Sequence, residues 1–120
     1  MRRTRALGER GEALAADFVR RAGLEIVARN WCSRLGEIDL VAREAGETVF
    51  IEVKTRVGGP DAAPDAAVTA AKLARLGRLA EAYLTAEGRP DGPWRVDVVA
   101  IVLDERGEVR SIDHLRGAFL

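Results

Sequence analysis

The stretch "GEIDLVAREAGETVFIEVKTR", residues 36–56, constrains this chain more than any other. Two runs of alternating apolar and polar residues flank a turn centred between Ala45 and Gly46, the pattern of an antiparallel hairpin. That turn sets Ile38 opposite Val53, Leu40 opposite Ile51 and Ala42 opposite Val49, giving one apolar face. A slip of one residue would mix charged and apolar side chains on both faces, so the register is well specified. On the other face Glu37 opposes Lys54, Asp39 opposes Glu52 and Val41 opposes Phe50. Charges inside strands need a reason, because burying an unpaired charge costs more than a strand contact returns.

Directly opposed residues have Cβ atoms about 4.5–5.5 Å apart, so Asp39 and Glu52 form a carboxylate pair. Two such charges repel by roughly 3 kcal/mol at an effective dielectric of about 20. A cation, a shared proton or exposure to water has to offset that. Lys54 shares the face by the two-residue period and supplies one positive charge. A hard divalent ion such as Mg²⁺, which favours carboxylate oxygens and keeps waters, would supply more. The same charges would also suit an exposed sheet face laced with solvated salt bridges.

The rest of the chain frames the hairpin. In "ALGERGEALAADFVRRAG", Leu7, Leu14, Ala15, Phe18 and Ala22 fall at helical spacing and Gly23 ends the helix. "LEIVARNW" reads as a short strand, followed by a loop with Cys32 and Ser33. After the hairpin come a Gly/Pro-rich loop over residues 57–65 and a helix over 66–88 with Val68, Leu76, Leu79 and Tyr83 on one stripe. "WRVDVVAIVL" is the most apolar strand and is expected to be central, with "VRSIDHL" turned back beside it. The order α-β-β-β-α-β-β predicts an α/β domain with a mixed sheet flanked by helices.

Two helical residues bear on the acid pair. Glu12 borders the apolar stripe of the first helix, where it could reach the sheet or pair with a nearby Arg. Lys72 falls on the stripe of the second helix, where it either snorkels to the surface or faces an anionic substrate beside the hairpin. Asp97, with Arg95 on the same face of its strand, reads as a structural ion pair, with a role in supporting the site as the alternative. Trp31 and Trp94 flank strand ends as lids on the core, with base stacking as the other use of such rings.

The chain's 120 residues fit a single domain over 1–120 with a core that needs no disulfide. Its formal net charge is zero, so nucleic acid could be held only through a local patch. Cys32 is the sole cysteine, and the longest apolar run, "VVAIVL", is too short to cross a bilayer. The basic start lacks an apolar segment behind it, so a cytoplasmic protein is expected. One cysteine and one histidine, His114, give too few ligands for structural zinc and no orienting motif for cysteine catalysis. No glycine loop of the phosphate- or dinucleotide-binding kind is present.

Asp39, the run Glu52-Val53-Lys54 and Glu12 on the preceding helix resemble the PD-(D/E)xK nuclease superfamily. More narrowly, "GERGEALAADFV", Asn30, "GEIDLVA", "VFIEVKTR", "PDAAVTAAK" and "RVDVV" resemble the YraN-like family of small bacterial proteins grouped with endonucleases. The resemblance implies the restriction-endonuclease-like three-layer fold, with four or five strands. It implies Asp39 and Glu52 as ligands of Mg²⁺ or Mn²⁺ and Lys54 as the third signature residue. Glu12 is similar to the helix-borne acid of archaeal Holliday-junction resolvases. The superfamily's proline is replaced by Ile38, which leaves the acids in place.

Hydrolysis of a phosphodiester would then draw on the metal's charge, with the Val53 carbonyl completing its shell and Lys54 orienting water or touching the phosphate. Lys72, Arg56 and an arm with Arg2, Arg3 and Arg5 are candidates for phosphate contacts. The expected partner is DNA, branched or otherwise structured, with a homodimer suited to symmetric cuts. The rival expectation is a catalytically silent nucleic-acid-binding or assembly module on the same fold. Neutral net charge favours the rival, whereas the intact acid–acid–lysine set favours catalysis.

Overall fold

Apolar residues three and four apart build the first helix, α1 (Arg2–Arg21), and Gly23 follows it at φ 101°, a conformation that costs glycine little. The computed structural model describes residues 2–58 and 69–118, the side chains of residues 2–4 excepted. After α1 come β1 (Glu25–Ser33), β2 (Gly36–Glu44), β3 (Glu47–Val57), α2 (Ala70–Ala86), β4 (Trp94–Leu103) and β5 (Val109–Leu115). Most of the loop read over 57–65, Val68 and the arm side chains of Arg2 and Arg3 lie outside the described residues.

The strands form one sheet in the order β1-β2-β3-β4-β5. Only the β3–β4 pair is parallel, and it is the pair whose connection carries a helix, as a parallel crossover requires. Ala15, Ala16 and Val19 of α1 pack on Leu40, Ala42, Val49, Ile51, Val99 and Ile101. Leu76, Leu79, Ala80 and Tyr83 of α2 pack on Val41, Phe50 and Val96 of the opposite face. The architecture is therefore three layers, helix on mixed sheet on helix.

Three expectations are corrected. β1 continues through Cys32 and Ser33, which pair with Glu37 and Gly36 instead of forming a loop. β4 is not central; β3 is, and β4 lies beside it, almost wholly buried, with α1 over Val99, Ile101 and Leu103 and α2 over Val96. The hairpin has two apolar faces, since Val41 and Phe50 are as buried as Leu40 and Ile51. Ile38 belongs with Phe50 under α2, whereas Val53 packs on the α1 side, so the two do not share a face.

The turn itself stands where the sequence puts it. Ala45 and Gly46, at φ 51° and 83°, join the Glu44–Glu47 pair in a two-residue left-handed turn. Glu44 and Glu47 are like charges directly opposed, and the Arg95 guanidinium reaches both, at 2.8 and 2.9 Å. Arg95 also donates to Asp97 at 2.9 Å, and Arg116 reaches Glu44 at 2.6 Å. Asp97 has no solvent exposure and accepts further bonds from the Gly117 amide at 2.8 Å and His114 Nε2 at 2.7 Å. Burial alone would raise its carboxyl; His114, Arg95 and the amide outweigh that and hold it down at about 2.

Two outcomes follow for stability. Replacing Ala45 by Asn should raise stability by about 1 kcal/mol in thermal melts, because L-residues other than Asn and Asp resist positive φ. Asp97→Asn should lower it by roughly 3–5 kcal/mol, leaving Arg95 without its buried partner. The lowered acid also sets a pH window. Its contribution, about 2 kcal/mol, is complete above the unfolded value of 3.8 and is lost as pH falls from there towards about 2. The slope of stability against pH should differ between the wild type and the Asn variant only over that range.

Candidate functional site

The pairing of β2 with β3 runs from Glu44–Glu47 to Leu40–Ile51 and stops. In continued register Ile38 would take the amide of Val53; instead Asp39 Oδ2 accepts that N–H at 2.8 Å. β2 keeps to β1 here, with Arg29 opposite Leu40 and Trp31 opposite Ile38. Between those pairs Asn30 adopts φ 50°, opposite Asp39. The two central strands therefore part at Asp39, and one carboxylate fills the gap where a ladder bond would have been.

That parting exposes Asp39 to acids from both faces of the sheet. Burial is the main cause that pushes its carboxyl up to about 7; the Val53 amide opposes this, Glu52 and Glu12 add to it, and Lys72 counters them. Glu52 lies on β3, one residue before Val53, with 8% exposure. Its partner across the layer is Lys72, whose Nζ pairs with Glu52 Oε1. Lys72 sits in the first turn of α2, where its amide donates to the Thr69 hydroxyl cap at 3.1 Å.

Glu12 approaches from α1. The helix runs so close to β3 that a Cβ on Gly11 would collide with Thr55 Oγ1, and this seats the next residue, Glu12, beside the gap. Burial raises the Glu12 carboxyl, the Asn30 amide hydrogen bond lowers it, and Glu37 and Glu9 raise it again. Asn30 thus serves the site through Glu12, a role that its sequence position does not announce.

A cleft of about 440 Å³ opens over Glu52, Val53, Lys54, Thr55, Arg56 and Lys72. A smaller recess of about 200 Å³, lined by Leu7, Gly8, Glu12, Val53 and Thr55, shares two of those residues. The structure thus brings Asp39, Glu52, Lys54, Glu12, Val53, Lys72 and Arg56 together around one stretch of β3. Arg5 lies outside the main cleft, in an ion pair with Glu9 at 3.7 Å. Cys32 on β1 and His114 on β5 occupy opposite edges of the sheet. Trp31 stands edge-on to Tyr83 at 5.4 Å and Trp94 to Phe50 at 5.8 Å, with Trp94 still 39% exposed.

The profile of "Uncharacterised protein family UPF0102" matches residues 11–101. The chain belongs to this family. A UPF0102 protein of Roseiflexus castenholzii is 49% identical over 115 residues, covering 95% of this chain and 92% of its own length. One from Nocardia farcinica is 50% identical over 117 residues, covering 95% and 89%. One from Streptomyces coelicolor is 47% identical over 114 residues, covering 93% and 87%. The UPF0102 profile spans α1 from Gly11, all of β1–β3 and most of β4, and so includes every residue around the parted strands. No helix is long and apolar enough to cross a membrane among the described residues.

The raised Asp39 carboxyl has a defined consequence. The folded protein keeps that proton to a higher pH than the unfolded chain, so metal-free stability falls as pH rises from 3.8 to about 7 and then levels off. The loss is on the order of 2 kcal/mol once solvent screening is allowed for. Asp39→Asn, whose side-chain carbonyl still accepts from Val53, should remove that slope and melt no lower than wild type at pH 8. A large loss of stability in the variant would make Asp39 a structural ion-pair partner instead.

Proposed function

We propose that this protein is a metal-dependent nuclease that hydrolyses phosphodiester bonds of DNA, branched or otherwise structured. The observation that carries the reading is the meeting of Asp39 and Glu52, both largely buried, beside a cleft walled by Lys54, Arg56 and Lys72. Opposed acids next to clustered cations suit a divalent ion and a phosphate together. The resemblance of "GEIDL" and "EVKTR" to the PD-(D/E)xK superfamily supports the same reading.

The donor set is hard and sparse. Among the described residues no three His, Cys, Asp or Glu side chains form a metal-holding group, so zinc does not fit. Mg²⁺ or Mn²⁺ does, since two carboxylates with retained waters are enough for such ions. Asp39 and Glu52 would hold the ion together with the Val53 carbonyl. In an extended strand one residue's N–H and C=O face the same neighbour, and the Val53 N–H faces Asp39. Bound there, the ion would supply a more acidic water and neutralise charge on the phosphate.

This chain's own residues do the remainder. Lys54, two residues from Glu52 and on the same face of β3, orients water or contacts the scissile phosphate. Arg56 and Lys72 bind flanking phosphates from the same cleft. Glu12 supports the acids from the opposite layer, held by Asn30. A pair of protomers would give the two clefts that symmetric cutting needs.

Calorimetric titration of metal-stripped protein with Mn²⁺ tests the site, beside an Asp39→Ala, Glu52→Ala double variant. Saturable binding is expected in the intact protein alone. Cleavage of supercoiled and branched DNA in Mg²⁺ should then fall by about 10²-fold or more in Lys54→Ala. Metal binding without cleavage of any DNA would leave the silent binding module as the function, and equal titrations would remove the metal site.

A further inference from the structure

We infer that Lys72 is a built-in counter-cation: it holds Glu52 in the metal-free protein, and releases it when the acid pair takes up a divalent ion, so that its ammonium turns to phosphate. The inference rests on the metal-site reading above and adds to it a coupling between metal and nucleic acid.

Three observations carry it. First, Lys72 occupies the third position of α2, behind the Thr69 cap. The helix dipole disfavours a cation there, and acids are the usual occupants. Its placement therefore serves something outside the helix, and the partner it finds is Glu52. Second, the chain has 19 basic residues, of which only Lys54 and Lys72 are lysines, and both line the same cleft. An arginine would grip a carboxylate through a rigid two-pronged fork; an ammonium on a flexible stem holds it as a point charge and lets go more readily. Third, the Lys72 side chain is 33% exposed while Glu52 is 10% exposed. The cation can swing outward into the cleft, but the acid stays where it is.

The exchange balances charge at each stage. Without metal, Lys72 offsets Glu52. With metal, both acids are engaged and Lys72 adds to the positive wall that Lys54 and Arg56 present. Metal binding therefore strengthens polyanion binding, and by linkage a polyanion strengthens metal binding.

Having two lysines makes the test direct. Reductive methylation with ¹³C-formaldehyde places one NMR probe on each lysine without removing its charge. Glu52→Gln gives the position of the Lys72 signal when released. Titrating the wild type with Mg²⁺ should move the Lys72 signal towards that position, and Mg²⁺ should not move it in Glu52→Gln. In calorimetry, Lys72→Ala should bind Mn²⁺ about fivefold more tightly. The same variant should lose the gain in affinity for a short DNA oligonucleotide that Mg²⁺ gives the wild type. If Mn²⁺ binds the wild type but the Lys72 signal stays put and Lys72→Ala binds no more tightly, the counter-cation is refuted and the metal site stands. If Mn²⁺ does not bind the wild type at all, both fall together.

Discussion

The parting of β2 from β3 at Asp39 is the constraint on which the candidate site depends. An antiparallel pair in register has no room for a functional carboxylate between its strands, because each backbone group there already has a partner. Here the ladder ends at Leu40–Ile51, and the Asp39 side chain takes over the Val53 amide. The same event turns Ile38 under α2 and leaves Val53 on the α1 side. It also opens the sheet, so that an acid from α1 and a cation from α2 both act on one residue of β2. The bond that ends the hairpin's pairing is the bond that starts the site.

The hairpin brings acids together at both ends, opposed at the turn and beside the parted strands at the other, and the contrast between them is informative. Glu44 and Glu47 at the turn are held by Arg95 and Arg116, and the Glu44 carboxyl is lowered by its Arg116 and Arg95 bonds. Asp39 and Glu52 at the open end have Lys72 beside them, yet the Asp39 carboxyl is raised. Acidic side chains are thus held in opposite electrostatic states at the two ends of one supersecondary unit.

Much of this was legible in sequence because hairpin register is a discrete choice. Alternation and the Ala45–Gly46 turn fix which residues oppose one another as far as Leu40–Ile51. The expected opposition of Asp39 and Glu52 lies beyond the end of that ladder, where the two acids are close but not paired across strands. The burial of Phe50 and Val41 on the second face was missed because a hairpin considered alone has no second helix to cover it. The swing of Ile38 was illegible for a related reason: alternation assumes an unbroken ladder, and the break is made by a side chain. Glu44 and Glu47 could have been found by the rule that exposed the other pair, like charges directly opposed, with Arg95 as the needed cation. His114 looked isolated because its partner, Asp97, is 17 residues away and meets it only across β4 and β5. Asn30 was legible only as part of the family resemblance, and its bond to Glu12 was not, since a positive φ leaves no mark in the sequence.

The seat of α1 has a consequence for how the chain comes together in time. Glu12, Asp39 and Glu52 are all encoded in the first half of the sequence, but α1 rests on Val99, Ile101 and Leu103 of β4 as well as on the hairpin. Arg10 ties the helix to the Gly107 carbonyl, 97 residues away, through bonds of 2.8 and 2.6 Å. Contacts of such sequence separation close late, after the loop entropy of nearly the whole chain has been overcome. A nascent chain that has emerged only as far as β3 would therefore carry all three acids and the hairpin side of the helix's seat, but lack the β4 residues that complete that seat. The full seat of α1 is a property of the finished fold, closed only when the last strands have joined the sheet.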